Sequence, residues 1–400
     1  MSTHHPHIPN WKTVKLGEVT EIIKGGTPSR NVEKYFRGNI AWAIPSDITA
    51  LDSFLYIDDT ETHITEEALS NSAARLLPAG TVLLTSRATI GDTAIATAPM
   101  ATNQGFANFV CEEKLLNVFL AYYLRYIRGK LNDLASGSTF KEVTKGTLLN
   151  IEIPCLPFEE QRAIAEVLSD VDGLLNALEA LIAKKLAIKQ AVMQQLLTGK
   201  TRLPGFSGAW QEMRIGDLFG VKAGGDLVQS KYSDVQDNRY SYPIYANALE
   251  QQGLYGFSNY AEEPAESITV TARGTLGQAF YRDTPFVAIG RLLVLKPKVL
   301  LDARFFCEYI NYGIYFAIES TGVPQLTAPQ ISRYLLPVPS QSEQHAITSV
   351  LSDMDAEIAA LEQRRDKTHA IKQGMMQQLL TGRVRLSESR ICTDLSDDAD

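Results

Sequence analysis

Residues 159–203 read EEQRAIAEVLSDVDGLLNALEALIAKKLAIKQAVMQQLLTGKTRL, and residues 342–386 read SEQHAITSVLSDMDAEIAALEQRRDKTHAIKQGMMQQLLTGRVRL. The two stretches align without a gap at an offset of about 183 residues, with roughly 26 of 45 positions identical. Chance does not produce such a match. The chain is therefore two copies of one plan, each a variable globular part followed by a repeated segment.

Each repeated segment is predicted to form one long helix. Two prolines precede each copy, and Gly199 and Gly382 end the copies at a position that favours a left-handed residue. In the second copy Ser340 and Glu343 are spaced as a capping box. About 40 residues lie between these boundaries, which corresponds to roughly 60 Å of helix.

Apolar residues recur in both segments at spacings of four and three, which is the pattern of a coiled-coil seam. They are Ile164, Leu168, Val171, Leu175, Leu178 and Ile182 in the first copy, and Ile347, Leu351, Met354, Ile358 and Leu361 in the second. A single stripe of this kind would ordinarily mark a helix packed on its own domain. The length and the matching copy favour two helices that pack on each other. They must be antiparallel, with one globular part near each end and a pseudo-two-fold axis, because the chain travels out along one helix and back along the other.

The globular parts repeat one another more weakly. Residues 85–91 (TSRATIG) match residues 271–277 (TARGTLG), and the glycine pair at 25–26 matches that at 224–225. Short β-rich runs and many turns predict an α+β fold, with helices at 117–127 and 303–319 and last strands at 148–153 and 331–338. The expected domains are residues 1–156, a helix at 157–200, residues 201–338, a helix at 339–386 and an acidic tail at 387–400.

The composition is that of an ordinary globular protein, with 45% hydrophobic and 21% charged residues among 400. No apolar run approaches the roughly 18 residues that span a bilayer, and the N-terminus is unlike a secretory signal. A cytoplasmic protein without a membrane partner is therefore expected.

Four scattered cysteines predict reduced thiols and no structural zinc. The net charge of −8 argues mildly against nucleic-acid binding, although the local field matters more than the sum.

No catalytic motif is complete. The GKT at residues 199–201 resembles the end of a phosphate-binding loop, but Gln194 stands where that loop needs a glycine. Asp92, Glu112 and Lys114 imitate a nuclease array only loosely, and HExxH, GxSxG and GxGxxG patterns are absent. The sequence therefore favours a non-enzymatic recognition or scaffold protein with no catalytic residue and no metal site.

The repeated motifs resemble those of the DNA-specificity (S) subunit of type I restriction–modification enzymes. EQRAIAEVLSDVD and EQHAITSVLSDMD open the helices, and KQAVMQQLLTGKTRL and KQGMMQQLLTGRVRL close them. GGTPSR at 25–30, WAIPSDI at 42–48 and SRATIG at 86–91 are also similar to first-domain segments of that family. The second domain departs from the family at AIPSDI, whose only counterpart is the loose match at 243–247. Such divergence is expected if the two domains read different sequences.

The resemblance implies a non-catalytic subunit with two target recognition domains, each reading one half of a split, asymmetric site in double-stranded DNA. The helices would set the distance between the halves and dock two modification (M) subunits, which carry S-adenosylmethionine and methylate adenine. Restriction (R) subunits would add ATP- and Mg-dependent cleavage. This chain itself would bind none of these cofactors.

Side chains that suit base edges and phosphates are candidate DNA contacts, with a turn-stabilising or solvated role as the alternative for each. In the first domain they are Ser46, Arg87, Thr89, Asn103, Gln104, Thr139 and Lys141, and in the second Tyr245, Asn247, Arg273, Thr275, Arg291 and Gln325. Polar helix positions are candidates for M-subunit docking, with an ordinary solvated helix face as the alternative. They are Glu160, Gln161, Lys189, Gln190, Gln194 and Gln195.

Two other classes of function remain open at this point. One is a coiled-coil scaffold whose paired domains bind protein or peptide, and the other is an enzyme of unrecognised type. A neighbouring gene that encodes an adenine methyltransferase would favour the S subunit over both.

Overall fold

The computed structural model describes residues 11–51, 54–137, 141–316 and 325–386. Its helices are α1 (Pro45–Thr49), α2 (Glu66–Ser70), α3 (Asn117–Tyr126), α4 (Arg128–Leu134), α5 (Lys145–Leu149), α6 (Phe158–Leu196), α7 (Ile215–Leu218), α8 (Ala303–Gly313), α9 (Ala328–Ile331) and α10 (Gln341–Leu379). Helices α6 and α10 are the long helices expected from the repeat, and each has 39 residues. No helix in the described part of the chain is both long and apolar enough to cross a membrane.

The ends of the long helices follow the expected signals, with one exception. Gly199 and Gly382 are left-handed, with φ of 66° and 71°. Ser340 Oγ accepts a hydrogen bond from the Glu343 backbone N–H at 3.4 Å, as in a capping box. The Glu343 carboxylate turns instead to the Arg202 guanidinium, at 2.5 and 2.6 Å. The predicted capping box also requires the Glu343 carboxylate to accept from the Ser340 backbone N–H, and this part of the prediction is wrong. The carboxylate binds the guanidinium because a bidentate charged hydrogen bond is stronger than one to a backbone N–H.

The chain divides into two compact units, of which the first comprises residues 1–181 and 361–400. Its strands are β1 (Thr13–Lys15), β2 (Thr20–Lys24), β3 (Ile40–Ala43), β4 (Tyr56–Ile57), β5 (His63–Ile64), β6 (Val82–Thr85), β7 (Thr93–Ala96), β8 (Ala101–Thr102), β9 (Phe106–Cys111) and β10 (Glu152–Pro154). They form a sheet in the order β2-β9-β6-β7-β4, a sheet β5-β3-β8 and the antiparallel pair β1-β10. Phe109 of the larger sheet, Phe119 of α3, Leu168 of α6 and Leu379 of α10 share one core.

The second unit comprises residues 182–360. Its strands are β11 (Gln211–Arg214), β12 (Phe219–Ala223), β13 (Tyr232–Ser233), β14 (Tyr242–Tyr245), β15 (Leu254–Ser258), β16 (Ser267–Val270), β17 (Ala279–Arg282), β18 (Val287–Ala288), β19 (Leu293–Pro297) and β20 (Leu335–Val338). They form the sheets β12-β19-β16-β17 and β13-β15-β14-β18 and the antiparallel pair β11-β20. Phe219, Phe305 and Leu351 lie in its main core, with Leu197 from the end of α6.

The two units repeat one arrangement of elements. The antiparallel run β2-β9-β6-β7 with α3 corresponds to β12-β19-β16-β17 with α8, and the pair β1-β10 corresponds to β11-β20. The predicted α+β fold with an internal repeat is confirmed. The expected last strands begin later than predicted, because the short helices α5 and α9, which start after Thr144 and Thr327, extend into the first residues of those stretches.

Oppositely charged side chains of α6, α10 and the segments that directly follow them pair within each unit, in an order that requires antiparallel helices. In the first unit the pairs are Glu160–Arg385 (2.7 Å), Asp172–Lys372 and Glu179–His369 (3.8 Å). In the second they are Lys185–Glu357 (2.6 Å), Lys189–Asp355 (2.5 Å) and Arg202–Glu343 (2.5 Å). As the residue number of the first partner in each pair rises from 160 to 202, that of the second partner falls from 385 to 343. The predicted antiparallel packing is therefore confirmed in both units.

The predicted seam residues face inward. Most are buried, and Val171, Met354 and Leu361 are half-buried. Ile164 and Leu168 also contribute to the core of the first unit, and Ile347 and Leu351 to that of the second. The start of each helix is therefore held by its globular domain as well as by the other helix.

Candidate nucleic-acid interface

Equivalent loops follow the central strands β6 and β16 of the two units. The Thr85 hydroxyl donates to the Thr89 carbonyl at 2.6 Å, and the Thr271 hydroxyl donates to the Thr275 carbonyl at 2.5 Å. Left-handed residues close both turns, including Ala88 in the first unit (φ 60°). Each loop thus carries an arginine two or three residues after the end of its strand, Arg87 or Arg273, on a backbone held by the same hydrogen bond.

In the first unit three further segments join the Arg87 loop. Ser86 N donates to Gly105 O at 2.7 Å, Val143 N donates to Ser86 O at 3.0 Å, and Gly26 N donates to Thr102 O at 2.9 Å. These bonds bring the segments that carry Arg87, Asn103, Gln104 and Lys141 to one end of the larger sheet. Four of the predicted contact residues therefore lie in one cluster of loops.

The glycine pair at 25–26 is needed because backbones meet closely there. A Cβ on Gly25 would lie 1.8 Å from the Asn103 carbonyl oxygen, and a Cβ on Gly26 would lie 2.2 Å from the Ala73 carbonyl carbon. Only glycine allows the end of β2 to approach the other loops this closely.

The Arg87 side chain is paired within the chain. Glu142 accepts from Arg87 Nε at 2.8 Å through Oε2 and from Lys24 Nζ at 2.5 Å through Oε1. Partial burial raises the pKa of Glu142, but the hydrogen bonds from Lys24 and Arg87 outweigh it and lower the pKa below its usual value. Sequence reasoning missed both Glu142 and Lys24, although each is next to a predicted feature, Lys141 and the glycine pair.

The other first-domain candidates have individual settings. Asn103 Oδ1 accepts from Gly105 N at 2.8 Å, and Gln104 hydrogen-bonds with Thr27. The Thr89 hydroxyl oxygen is buried and has no hydrogen-bond partner among the described residues. Ser46 lies in the first turn of α1, and Thr139 lies outside the described residues.

In the second unit Asn247 connects two loops. Its Oδ1 accepts from Ala272 N at 2.7 Å, and its Nδ2 donates to Gly290 O at 2.6 Å. The amide therefore positions the Arg273 loop, and the role of Asn247 as a base contact stays a prediction.

The remaining second-domain candidates surround that loop. Arg273 Nη2 donates to Gln325 Oε1 at 3.2 Å, and Arg291 is exposed with a left-handed backbone (φ 69°). The Tyr245 ring lies 3.5 Å from the guanidinium of Arg282, which is only 3% exposed. Burial lowers the pKa of Arg282. The ring of Tyr245 is thus held from beneath by a buried cation.

Two of the six docking candidates are internal contacts. Glu160 is 8% exposed and pairs with Arg385, while Gln161 is 2% exposed and caps α3 through Leu116 N at 2.8 Å. We therefore do not retain them as docking residues. Lys189 pairs with Asp355, whereas the remaining candidates are exposed; these are Gln190, Gln194 and Gln195.

The family model for the "Type I restriction modification DNA specificity domain" matches the chain twice, at residues 9–190 and 208–369. The type I restriction enzyme MjaIX specificity subunit of Methanocaldococcus jannaschii is 26% identical, over 95% of this chain and 94% of that protein. The EcoR124I/EcoR124II specificity subunit of Escherichia coli is 28% identical over 45% of each chain. The crystal structure of the S subunit of a type I restriction–modification system from M. genitalium aligns with a TM-score of 0.63 at 17% identity, covering 95% of this chain and 98% of that one.

Proposed function

This chain belongs to the type I restriction–modification DNA specificity family, and its named relatives are specificity subunits. We propose that it is a non-catalytic subunit that reads a bipartite, asymmetric site in double-stranded DNA. Each unit reads one half-site. One observation carries the proposal: the same loop scaffold occurs in both units, but its arginine has different partners, Glu142 in one and Gln325 in the other. A repeated scaffold with unlike side chains suits two different half-sites.

The two-domain plan has a physical rationale. A good bidentate contact discriminates between bases by only about 1–3 kcal/mol, so one small domain reads few base pairs. Two domains on a shared helical spacer multiply this selectivity. We expect a few specified base pairs on either side of several unspecified ones, with half-sites about one helical turn, roughly 34 Å, apart.

The assembly that we propose contains two adenine-methyltransferase subunits, docked near the exposed glutamines of the repeated helices, and restriction subunits where they are present. The acidity of the chain is consistent with this. A subunit of net charge −8 has little long-range electrostatic attraction to the DNA phosphates, so its partners would supply much of the phosphate binding.

Methylome sequencing of cells that express the chain with its methyltransferase subunit tests the proposal. Adenine methylation within one bipartite, asymmetric motif is the expected result. A well-expressed complex that modifies no such motif would refute it and favour a scaffold that binds protein or peptide.

A further inference from the structure

Glu142 lies between two cations at the candidate interface of the first unit. Its Oε1 contacts Lys24 Nζ at 2.5 Å, and its Oε2 contacts Arg87 at Nε (2.8 Å) and Nη2 (2.7 Å). The side chains of Lys24 and Arg87 are 33% and 42% exposed, against 22% for Glu142. Both cations therefore reach the surface, but each forms an ion pair with the partly buried carboxylate of Glu142.

The backbone holds this carboxylate in place. Glu142 N donates to Ser136 O at 2.9 Å, and Ser136 N donates to Glu142 O at 3.0 Å. The backbone N–H of the next residue, Val143, donates a hydrogen bond to Ser86 O. The carboxylate is thus carried on a segment attached to the Arg87 loop itself. Its lowered pKa means that it is ionised at neutral pH.

Among the described residues, this geometry leaves one edge of the Arg87 guanidinium available. Glu142 occupies Nε and one Nη2 hydrogen, so the Nη1 group and the second Nη2 hydrogen have no partner in the ion pair. Two adjacent N–H groups on that edge match the O6 and N7 acceptors of guanine in the major groove. The same carboxylate competes with phosphate oxygens for both cations, because carboxylate and phosphate accept the same charged hydrogen bonds.

The described residues of the second unit do not repeat this arrangement. Ala223 stands where the aligned glycine pairs place Lys24, and Arg273 Nη2 donates to the neutral amide of Gln325, at 3.2 Å. The two units therefore hold equivalent arginines by different means, which allows the effect of Glu142 to be assigned to one half-site.

Resting on the proposed function, we propose that Glu142 is a positioning residue for the first half-site. It holds Arg87 with its free edge toward the acceptor atoms of a guanine, and it withholds Arg87 and Lys24 from non-specific phosphates. Discrimination at this half-site thus depends on a carboxylate that itself need not touch DNA.

The test measures binding by the complex assembled with its methyltransferase subunits. Fluorescence anisotropy would compare three duplexes: the full site, the site with the first half scrambled and the site with the second half scrambled. In E142Q we expect discrimination against the first scrambled duplex to fall about tenfold. Discrimination against the second should be unchanged. The plot of log K against log salt for the first scrambled duplex should steepen by about one to two units, because one or two phosphate contacts are gained.

Two further variants sharpen the result. E67Q removes one charge and one surface ion pair elsewhere in the first unit, that with Lys34, and should leave all three affinities in their wild-type ratio. Glu142→Asp keeps the charge but shortens the reach to Arg87 by one methylene group, so its discrimination should lie between wild type and E142Q.

Wild-type discrimination in E142Q, or in Glu142→Asp should E142Q fail to assemble, would overturn the role of Glu142. An equal effect on both half-sites would overturn it as well. A wild-type complex that binds all three duplexes equally would instead refute the proposed function itself, so the two failures are distinguishable.

Discussion

At the scale of single residues, the units differ most in what surrounds the arginine after the central strand. Arg87 is held by a carboxylate and Arg273 by an amide, although the hydroxyl–carbonyl bond that shapes each loop is the same. This shared hydrogen bond fixes the backbone position from which each arginine side chain extends. The partner decides which of its N–H groups remain for a base.

The Arg87→Ala variant should weaken recognition of one half-site only. We expect a loss of about 1–3 kcal/mol of discrimination at the half-site read by the first unit, because one bidentate donor is removed. Arg273→Ala is the matched control and should affect only the other half-site. Binding to duplexes altered in either half measures both. A lowered unfolding temperature, or an effect on both halves, would show that Arg87 is structural.

At the scale of elements, the long helices carry two equivalent acid–lysine pairs whose settings differ. Asp172 is 6% exposed, pairs with Lys372 and accepts from the Tyr122 hydroxyl at 2.6 Å. Burial and this bond raise the pKa of Tyr122, so it stays a donor. The repeat counterpart pairs Asp355 with Lys189 at 2.5 Å, and the Asp355 side chain is 52% exposed. One pair is buried under its domain, whereas the other is solvated.

This difference predicts unequal costs for the same substitution. Asp172→Ala leaves the Lys372 ammonium, 11% exposed, without its charge partner, which costs about 3–5 kcal/mol for a buried pair. Asp355→Ala removes a solvated partner and should cost less than about 1 kcal/mol. Urea unfolding of the two variants measures both values. Equal costs would mean that the buried position of Asp172 contributes nothing.

At the scale of the whole molecule, the ion pairs between the long helices join one half of the sequence to the other, and each half carries both the acidic and the basic residue type of these pairs. Glu160 pairs with Arg385. Their repeat counterparts, Glu343 and Arg202, pair with each other. A fragment ending after Leu203 therefore carries an acid and an arginine that could pair between two copies. The same holds for Asp172 and Lys189.

A chain of residues 1–203 should therefore form a homodimer through its helix and, with methyltransferase subunits, modify a symmetric site built from two copies of the first half-site. Light scattering gives the oligomeric state, and methylome sequencing gives the site. Arg202→Glu in the fragment should weaken the dimer, because it places like charges together. A fragment that stays monomeric at high concentration would contradict antiparallel self-pairing.

Much of this plan follows from the sequence alone. The gapless repeat, the prolines and glycines at the helix ends and the heptad spacing predict two long antiparallel helices, because these signals are local and occur twice. The arginine loops were found in the same way, by matching one half against the other. The absence of HExxH, GxSxG and GxGxxG patterns and of a complete phosphate-binding loop favours recognition without chemistry.

Only the tertiary structure decided which charges meet. Glu142 lies 55 residues from Arg87 in sequence, and Glu160 lies 225 residues from Arg385, so no local pattern joins them. Likewise, Gln161 and Asn247 resemble exposed polar residues until the fold brings backbone groups to both ends of their amides. Periodicity reports which face of a helix is apolar. The partner of a polar side chain depends on chain segments that meet only after folding.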